Sequence, residues 1–157
     1  QKAASSLGLA PEIYDIERAQ GQINVYMQQL YPIKALATSQ QQQLVDTVAK
    51  LINNGIIHND LHFGNIMRTT KGKVMITDFG MAQQTRYPIG FSSHLFRQTM
   101  IATLSSLLDP CNQNNPAFGK ETSMNHACNN NKGVFKKIVD VIYAMKRGEN
   151  VKKYLTI

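Results

Sequence analysis

The sequence is poor in cysteine, in charge and in long apolar runs. Its two cysteines, Cys111 and Cys128, are too few for a disulfide scaffold or a four-ligand zinc site. Nothing in cysteine usage calls for an oxidising compartment, so free thiols in a cytoplasmic setting are expected. No apolar run exceeds a few residues, which leaves no transmembrane helix and no signal h-region; no membrane partner is expected. Charged residues make up only 17%, and Lys plus Arg exceed Asp plus Glu by 17 to 10, a formal net charge of +7. That surplus favours anionic partners such as nucleotide, phosphate or nucleic acid without choosing among them. What is present is 157 residues, 43% of them apolar, enough for one domain that buries roughly two-thirds of its unfolded surface. The first residue is Gln rather than Met, as in a processed product or a fragment.

Along the chain, residues 1–8 are helix-compatible, with Gly8 as a C-terminal stop. Two β-rich runs, 12–16 and 23–27, flank a turn at Gln20-Gly21-Gln22 and read as a hairpin. A helix is predicted from a Ser39 cap to about Asn53, with Leu44, Val48, Leu51 and Ile52 on one face and Asn54-Gly55 ending it. Its four glutamines, Gln40–Gln43, read as solvated first turns, and Asp46 sits four before Lys50 as a weak favourable pair. A second hairpin follows, 65–68 and 74–76, joined by Thr69-Thr70-Lys71-Gly72. Residues 92–108 read as a helix with Leu95, Phe96, Thr99, Ala102, Thr103 and Leu107 on its apolar face. Residues 109–132, rich in Asn, Pro and Gly, read as a loop-like insertion. A last helix spans about 133–147, with Val134, Ile138, Val141, Ile142 and Met145 on one side. Met27, Met67, Met75 and Met81 read as core filler.

The stretch that carries chemistry is Ile56-Ile57-His58-Asn59-Asp60-Leu61-His62-Phe63-Gly64-Asn65-Ile66-Met67, followed by Val74-Met75-Ile76-Thr77-Asp78-Phe79-Gly80. Asp60 and Asn65 sit five apart on a loop that leaves a helix and enters a hairpin, and Asp78 follows the returning strand. The hairpin brings Asn65 and Asp78 to the same end of its two strands. Together they offer only hard oxygen ligands, which suits Mg²⁺ (or Mn²⁺) with water and substrate phosphates completing the shell. Asp60, slightly apart, is free to accept a proton from a hydroxyl nucleophile. Phosphoryl transfer requires both parts.

These two segments resemble the catalytic loop and the metal-binding D-F-G element of the protein-kinase-like superfamily. His58, Asp60 and Asn65 meet H-x-D-x-x-x-x-N, and Asp78, Phe79 and Gly80 meet D-F-G, in the right order and at the right separation. The resemblance implies an α+β fold: a mainly α-helical C-lobe with short β-hairpins over 31–157, carrying the 109–132 insertion, and a remnant of a β-rich N-lobe with the hinge strand over 1–30. It implies ATP and Mg²⁺ as cofactors. It implies Asp60 as catalytic base, Asn65 and Asp78 as metal ligands, and His58 and Phe79, beside Gly80, as members of the stacked spine. Met67 would lie under the adenine, Met27 would be the gatekeeper, and the backbone of Gln28 and Leu30 would face the adenine edge. His62 stands where Ser/Thr kinases often carry Lys and aminoglycoside-phosphotransferase-like branches often carry His; contact with a phosphate and a hydrogen bond within the loop are both open to it. His94 and His126 carry no partner pattern and read as surface residues.

The chain also departs from the family pattern. It contains no Gly-rich phosphate loop and no V-A-I-K-like strand, so the resemblance covers about two-thirds of a kinase-like domain by this parts list. Asn59 replaces the Arg that pairs with an activation-loop phosphate, which implies that no such switch operates. Residues 81–91 are all that separates Gly80 from Ser92, with no A-P-E, so the peptide-substrate platform is missing or reduced. The helix after it lacks the Asp that usually anchors the catalytic loop, and Ser92 or Ser93 is the expected substitute. These departures fit an atypical, small-molecule-kinase-like or compact viral branch, the last placing it in host cytoplasm or virion. Three functions are compatible: a phosphotransferase acting on a protein Ser/Thr or small hydroxyl substrate; a non-catalytic lobe that binds a protein partner; and, more weakly, a nucleic-acid-binding protein. From Lys132 onward there are seven basic residues against two acidic ones. That run lacks the interleaved aromatics of a base-stacking platform and reads as a solvated face before a nucleic-acid or partner patch.

Overall fold

Three helices supply the apolar faces around which the rest is arranged. The computed structural model of the chain describes residues 1–33, 35–108 and 132–157. A short helix α1 (Lys2–Ser6) precedes a ribbon of β1 (Ile13–Ala19) and β2 (Gln22–Met27). Then come β3 (Tyr31–Pro32), α2 (Thr38–Asn53), β4 (Ile56–Ile57), β5 (Ile66–Arg68), β6 (Val74–Ile76), β7 (Gln83–Gln84), α3 (His94–Leu108) and α4 (Lys132–Lys146). Helices α2, α3 and α4 pack on one another. Leu44, Val45, Val48 and Ile52 of α2, Phe96, Met100, Leu104 and Leu107 of α3, and Ile138, Val141 and Met145 of α4 share one buried cluster. Each such side chain contributes about 1.5–3 kcal/mol by leaving water. The expected insertion, with Cys111, Cys128 and His126, lies outside the described residues, as does the side chain of Val134.

The expected α2 stripe of Leu44, Val48, Leu51 and Ile52 is buried as anticipated. The α3 stripe is met only in part: Phe96 and Leu107 are buried as expected, but Leu95 is 51% exposed, and Met100 and Leu104 complete the core face in place of Thr99, Ala102 and Thr103. Phe96, Met100, Leu104 and Leu107 recur at i, i+4, i+8 and i+11, a tighter helical face than the expected one, which drifts round the helix through polar Thr99 and Thr103. The four glutamines are not solvated either. Gln40 Nε2 donates to the Gly72 carbonyl (2.8 Å), Gln41 Nε2 to that of Leu36 (3.3 Å) and Gln42 Nε2 to that of Tyr154 (3.0 Å), while Gln43 Oε1 accepts from the Val74 N–H (3.1 Å). The tract is half-buried and stitches α2 to the β5–β6 turn and to the C-terminal segment. Asp46 does not pair with Lys50. It is buried and accepts from Gln42 Nε2 and from the backbone and hydroxyl of Thr156. Ser39 is inside the first turn of α2; the cap is Ala37, whose N–H is met by Gln40 Oε1 at 3.0 Å. Of the methionines, Met75 is core, whereas Met27 and Met81 are 42% and 66% exposed.

The β1–β2 ribbon turns at Gln20-Gly21, both at positive φ (52° and 75°), the conformation of a tight hairpin turn. Its register pairs Ile16 with Val25 and Arg18 with Ile23. One face is therefore mostly apolar, interrupted by Arg18, yet Ile16, Ile23, Val25 and Met27 are all exposed. On the other face Tyr26 Oη donates to Glu17 Oε2 (3.0 Å). A three-stranded sheet, β3-β5-β6, and the small β4-β7 pair complete the fold. At the end of α2, Gly55 is at φ +76° and a Cβ there would lie 2.2 Å from Thr85 Oγ1, so this position requires glycine on both counts.

The buried and exposed leucines of α3 give a direct check on this packing. Leu104→Ala should lower the unfolding free energy by about 2–5 kcal/mol, and Leu95→Ala by no more than about 0.5 kcal/mol, in urea titrations followed by circular dichroism.

Candidate active site

The loop between β4 and β5 and the strand end after β6 are joined by two bridges that meet at Asp60 and Thr77. His58 is buried, and its Nδ1 accepts from the Asp60 N–H (3.2 Å). That bond leaves the imidazole proton on Nε2, which donates to the Thr77 carbonyl at 2.8 Å. Asn65, also buried, makes the second bridge. Its Nδ2 donates to the Asp60 carbonyl (2.9 Å), and its own carbonyl accepts from the N–H (2.9 Å) and hydroxyl (3.3 Å) of Thr77. Both main-chain groups of Asp60 are thus tied, through one side chain each, to the residue that precedes Asp78. Phe79 packs edge-on against His58 with ring centroids 4.9 Å apart, placing the aromatic of the D-F-G triplet on the same buried histidine.

The register brings Asn65 and Asp78 to one end of the hairpin. Ile66 pairs with Ile76, so Asn65 and Thr77 continue the two strands at one end and Asp78 follows directly. Asp78 is exposed and sits at φ +58°, a conformation Asp tolerates better than most residues. Its Oδ1 accepts from the Gly80 N–H (3.5 Å), and a Cβ at Gly80 would come within 3.4 Å of that oxygen. A carbonyl only accepts, so the Asp60 carbonyl determines which end of the Asn65 amide is nitrogen. Oδ1 is left with no donor among the described residues. A hard amide oxygen and a hard carboxylate at one strand end fit a small divalent cation. Asp60 is exposed, with its backbone pinned as above.

His62 makes its bonds within the loop. Its Nδ1 accepts from the Gly64 N–H (3.1 Å) at the head of a 3₁₀ turn, Phe63–Asn65, and its Nε2 lies 3.2 Å from Asn65 Nδ2. A neutral imidazole has one acceptor nitrogen, so it satisfies one of these two N–H groups at a time. Met27, Gln28 and Leu30, expected at the adenine edge, lie at the end of β2 and in the link from it to β3. Met27 ends β2 and pairs with Ile13; the Gln28 N–H donates to the Glu12 carbonyl (2.8 Å). Leu30 leads into β3, where Pro32 pairs with Met67, so the segment after the ribbon runs beside Met67.

Two residues that support this loop were not singled out from the sequence. Thr77 is the common end of both bridges; the hairpin register, which sets it opposite Asn65, was the available signal. Ser106 Oγ lies 2.8 Å from the Leu61 carbonyl and 2.6 Å from that of Thr103 in its own helix, so its one proton, shared between them, links the loop to α3. Ser92 and Ser93 do not take that part: Ser93 Oγ caps α3 through the Phe96 N–H (3.0 Å). No local pattern marks Ser106, because its partner lies on another element. Among the described residues no group of three or more His, Cys, Asp or Glu forms a metal cluster.

The sequence matches the family model described as "Protein kinase domain" over residues 13–104, more than half of the chain. Among curated proteins it is similar to CBL-interacting serine/threonine-protein kinase 17 of Arabidopsis thaliana, 39% identical over 46 residues, 29% of this chain and 11% of that protein. It is similar to cyclin-dependent kinase 11 of Dictyostelium discoideum, 40% identical over 48 residues, 31% of this chain and 13% of that protein. It is also similar to the serine/threonine-protein kinase AtPK1/AtPK6 of Arabidopsis thaliana, 45% identical over 42 residues, 27% of this chain and 9% of that protein. The matched stretch spans 9% to 13% of the length of these relatives. The matched residues 13–104 run from the β1–β2 ribbon through both bridged loops into α3, and the chain belongs to the protein kinase domain family.

Proposed function

We propose that the chain supplies the catalytic loop and metal-binding element of an ATP- and Mg²⁺-dependent phosphotransferase that moves the γ-phosphate to a hydroxyl, most simply that of a protein Ser or Thr. The observation that carries this reading is the pair of bridges through His58 and Asn65. They hold the backbone of Asp60 against Thr77 and so set a carboxylate on one loop in register with Asp78 on the next. In this reading Asn65 Oδ1 and the Asp78 carboxylate hold the divalent ion. When bound, that ion neutralises the phosphate oxygens and aligns the transferred group. Asp60 accepts the proton of the acceptor hydroxyl and orients it for in-line attack. Met67 forms the floor under the base, and Met27, Gln28 and Leu30 border its edge. The Gln28 N–H is already donated to Glu12, so the Gln28 carbonyl is the group that remains to meet an exocyclic amine. His62 lies three residues from Asn65, and with its Nδ1 accepting from the Gly64 N–H, the neutral ring's Nε2–H is the group placed to meet a phosphate oxygen.

The His at position 62, the Asn at 59 and the short segment 81–91 support an atypical, aminoglycoside-phosphotransferase-like or compact viral branch over a regulated protein kinase. A small hydroxyl compound is then the alternative acceptor. A second reading has its own observation: the mostly apolar face of the β1–β2 ribbon is exposed and the sequence contains no Gly-rich loop or paired Lys. On that reading the chain is a non-catalytic lobe that binds a protein partner.

Calorimetric titration of this chain with ATP, with and without Mg²⁺, separates the two. Metal-dependent binding is expected, and Asp78→Asn should weaken it by at least about tenfold, the loss of one charge-assisted ligand. Binding that ignores both the metal and this substitution would overturn the phosphotransferase reading. In the full protein that carries this segment, Asp60→Asn should lower kcat by about 10²–10⁴-fold while leaving nucleotide affinity within about twofold, read from steady-state kinetics and titration. His58→Phe keeps the ring against Phe79 but removes both hydrogen bonds, leaving the Asp60 N–H and the Thr77 carbonyl without a partner. It should lower stability by about 2–4 kcal/mol in urea titration.

A further inference from the structure

We propose that Asn59 is a positioning residue: a neutral latch that fastens the Asp60 loop to the segment following Asp78 and does so without phosphorylation. The inference rests on the phosphotransferase reading of Asp60, Asn65 and Asp78. In the resembling kinases the residue before the base is a cation that receives an activation-loop phosphate. Here it is an amide, and it makes a direct bond: Asn59 Nδ2 donates to the Met81 carbonyl at 3.1 Å, across 22 residues of sequence.

Two properties are required of this residue at once. Its backbone is left-handed, φ +66°, which Gly, Asn and Asp adopt with least strain. Its side chain must also donate, because the partner is a carbonyl. Gly has the backbone and no donor. Asp has the backbone and only acceptors, which would face the Met81 oxygen as like poles. Asn alone of the three meets both needs.

The rest of the segment is held in the same neutral way. The Ala82 N–H closes a turn on the Phe79 carbonyl (3.1 Å), and β7 pairs with β4 through Gln83–Ile57 and Gln84–Ile56. The Thr85 N–H donates to the Gly55 carbonyl (2.8 Å), and the Thr85 hydroxyl donates to that of Tyr87 (2.6 Å). Asn53 and Ile89 exchange two bonds, Nδ2 to carbonyl at 2.9 Å and N–H to carbonyl at 3.0 Å. The one cation in this segment, Arg86, lies over the Tyr87 ring at 5.4 Å. No cation on the catalytic loop stands ready for a phosphate, and amides and hydroxyls do the fastening instead. The position of the chain just after Asp78 is therefore set on folding.

Hydrogen–deuterium exchange on this chain tests the latch without nucleotide. Asn59→Gly and Asn59→Asp should both speed exchange of the amides at 81–84 by about 2- to 10-fold, the range of one net hydrogen bond, with α2 and α3 unchanged. Unchanged exchange at 81–84 in both variants, or acceleration spread equally over α2 and α3, would overturn the latch. A second arm asks whether the latch positions the metal element. Where the parent chain binds ATP with Mg²⁺, both variants should need severalfold more Mg²⁺ for half-maximal binding, with metal-free nucleotide affinity unchanged. An unchanged Mg²⁺ requirement overturns the positioning role. Phosphatase treatment of the parent should alter neither readout, and a change in either overturns the independence from phosphorylation. If the parent binds no Mg²⁺-nucleotide, the phosphotransferase reading fails by itself and the exchange arm still decides the latch.

Discussion

A single buried imidazole organises the candidate site. His58 has two ring nitrogens and both are in use, one accepting from the main chain at Asp60 and the other donating to the main chain at Thr77. These are fixed, complementary demands: a ring with its proton on Nε2 satisfies both, and a charged ring cannot, because the Asp60 N–H would then face a second donor. The neighbours depend on the same geometry. Phe79 rests on the ring edge-on, and Asn65 repeats the connection between the same two residues from the other side. The loop that carries Asp60 has only one short 3₁₀ turn of its own, so its shape comes from these side-chain bonds and from Ser106, which reaches the Leu61 carbonyl from α3.

How much of this was legible in the sequence depends on how local each signal is. The hairpin over 66–76 was readable because strand residues and a Gly-containing turn adjoin one another, and with it came the placing of Asn65 and Asp78 at one end. The α2 stripe was readable because Leu44, Val48, Leu51 and Ile52 recur at helical spacing with nothing to blur it. The α3 stripe was legible only at Phe96 and Leu107, because threonine and alanine are acceptable on either face of a helix, so Thr99, Ala102 and Thr103 carried no information about direction. Met100 and Leu104, which the core does take, were the more apolar choice. Ser106 and Thr77 could not be seen, since a hydroxyl or carbonyl acquires its role only when a distant element arrives. The family motifs were legible for a different reason: they state the chemistry by residue type and order.

The low charge content is also accounted for. Among the described residues one ion pair is formed, Arg147 with Glu149, and the guanidinium holds that carboxyl below its ordinary range. The connections that elsewhere fall to charged pairs are made here by amides. Gln40 to Gln43 reach four separate backbone groups, Asn53 and Ile89 fasten the start of the α3 approach, and Asn59 joins two loops. Neutral hydrogen bonds are insensitive to salt and to pH over the range in which these side chains do not titrate. Of the basic residues after Lys132, Lys136, Lys146, Arg147, Lys152 and Lys153 are exposed, and Lys137 is half-buried against Gln42.

The β1–β2 ribbon has one consequence of its own. Two paired strands with both faces in water have little beyond their own ladder to hold them, and such a ribbon is marginal in isolation. Among the described residues the ribbon has far less burial to hold it than the helices and the bridged loops, so its local opening should cost less than theirs. Met27, Gln28 and Leu30 lie on or just after the ribbon, while Met67 lies on β5. A nucleotide laid across both would have to order one wall of its own slot on arrival, so its affinity would report the stiffness of the ribbon as much as the contacts it makes.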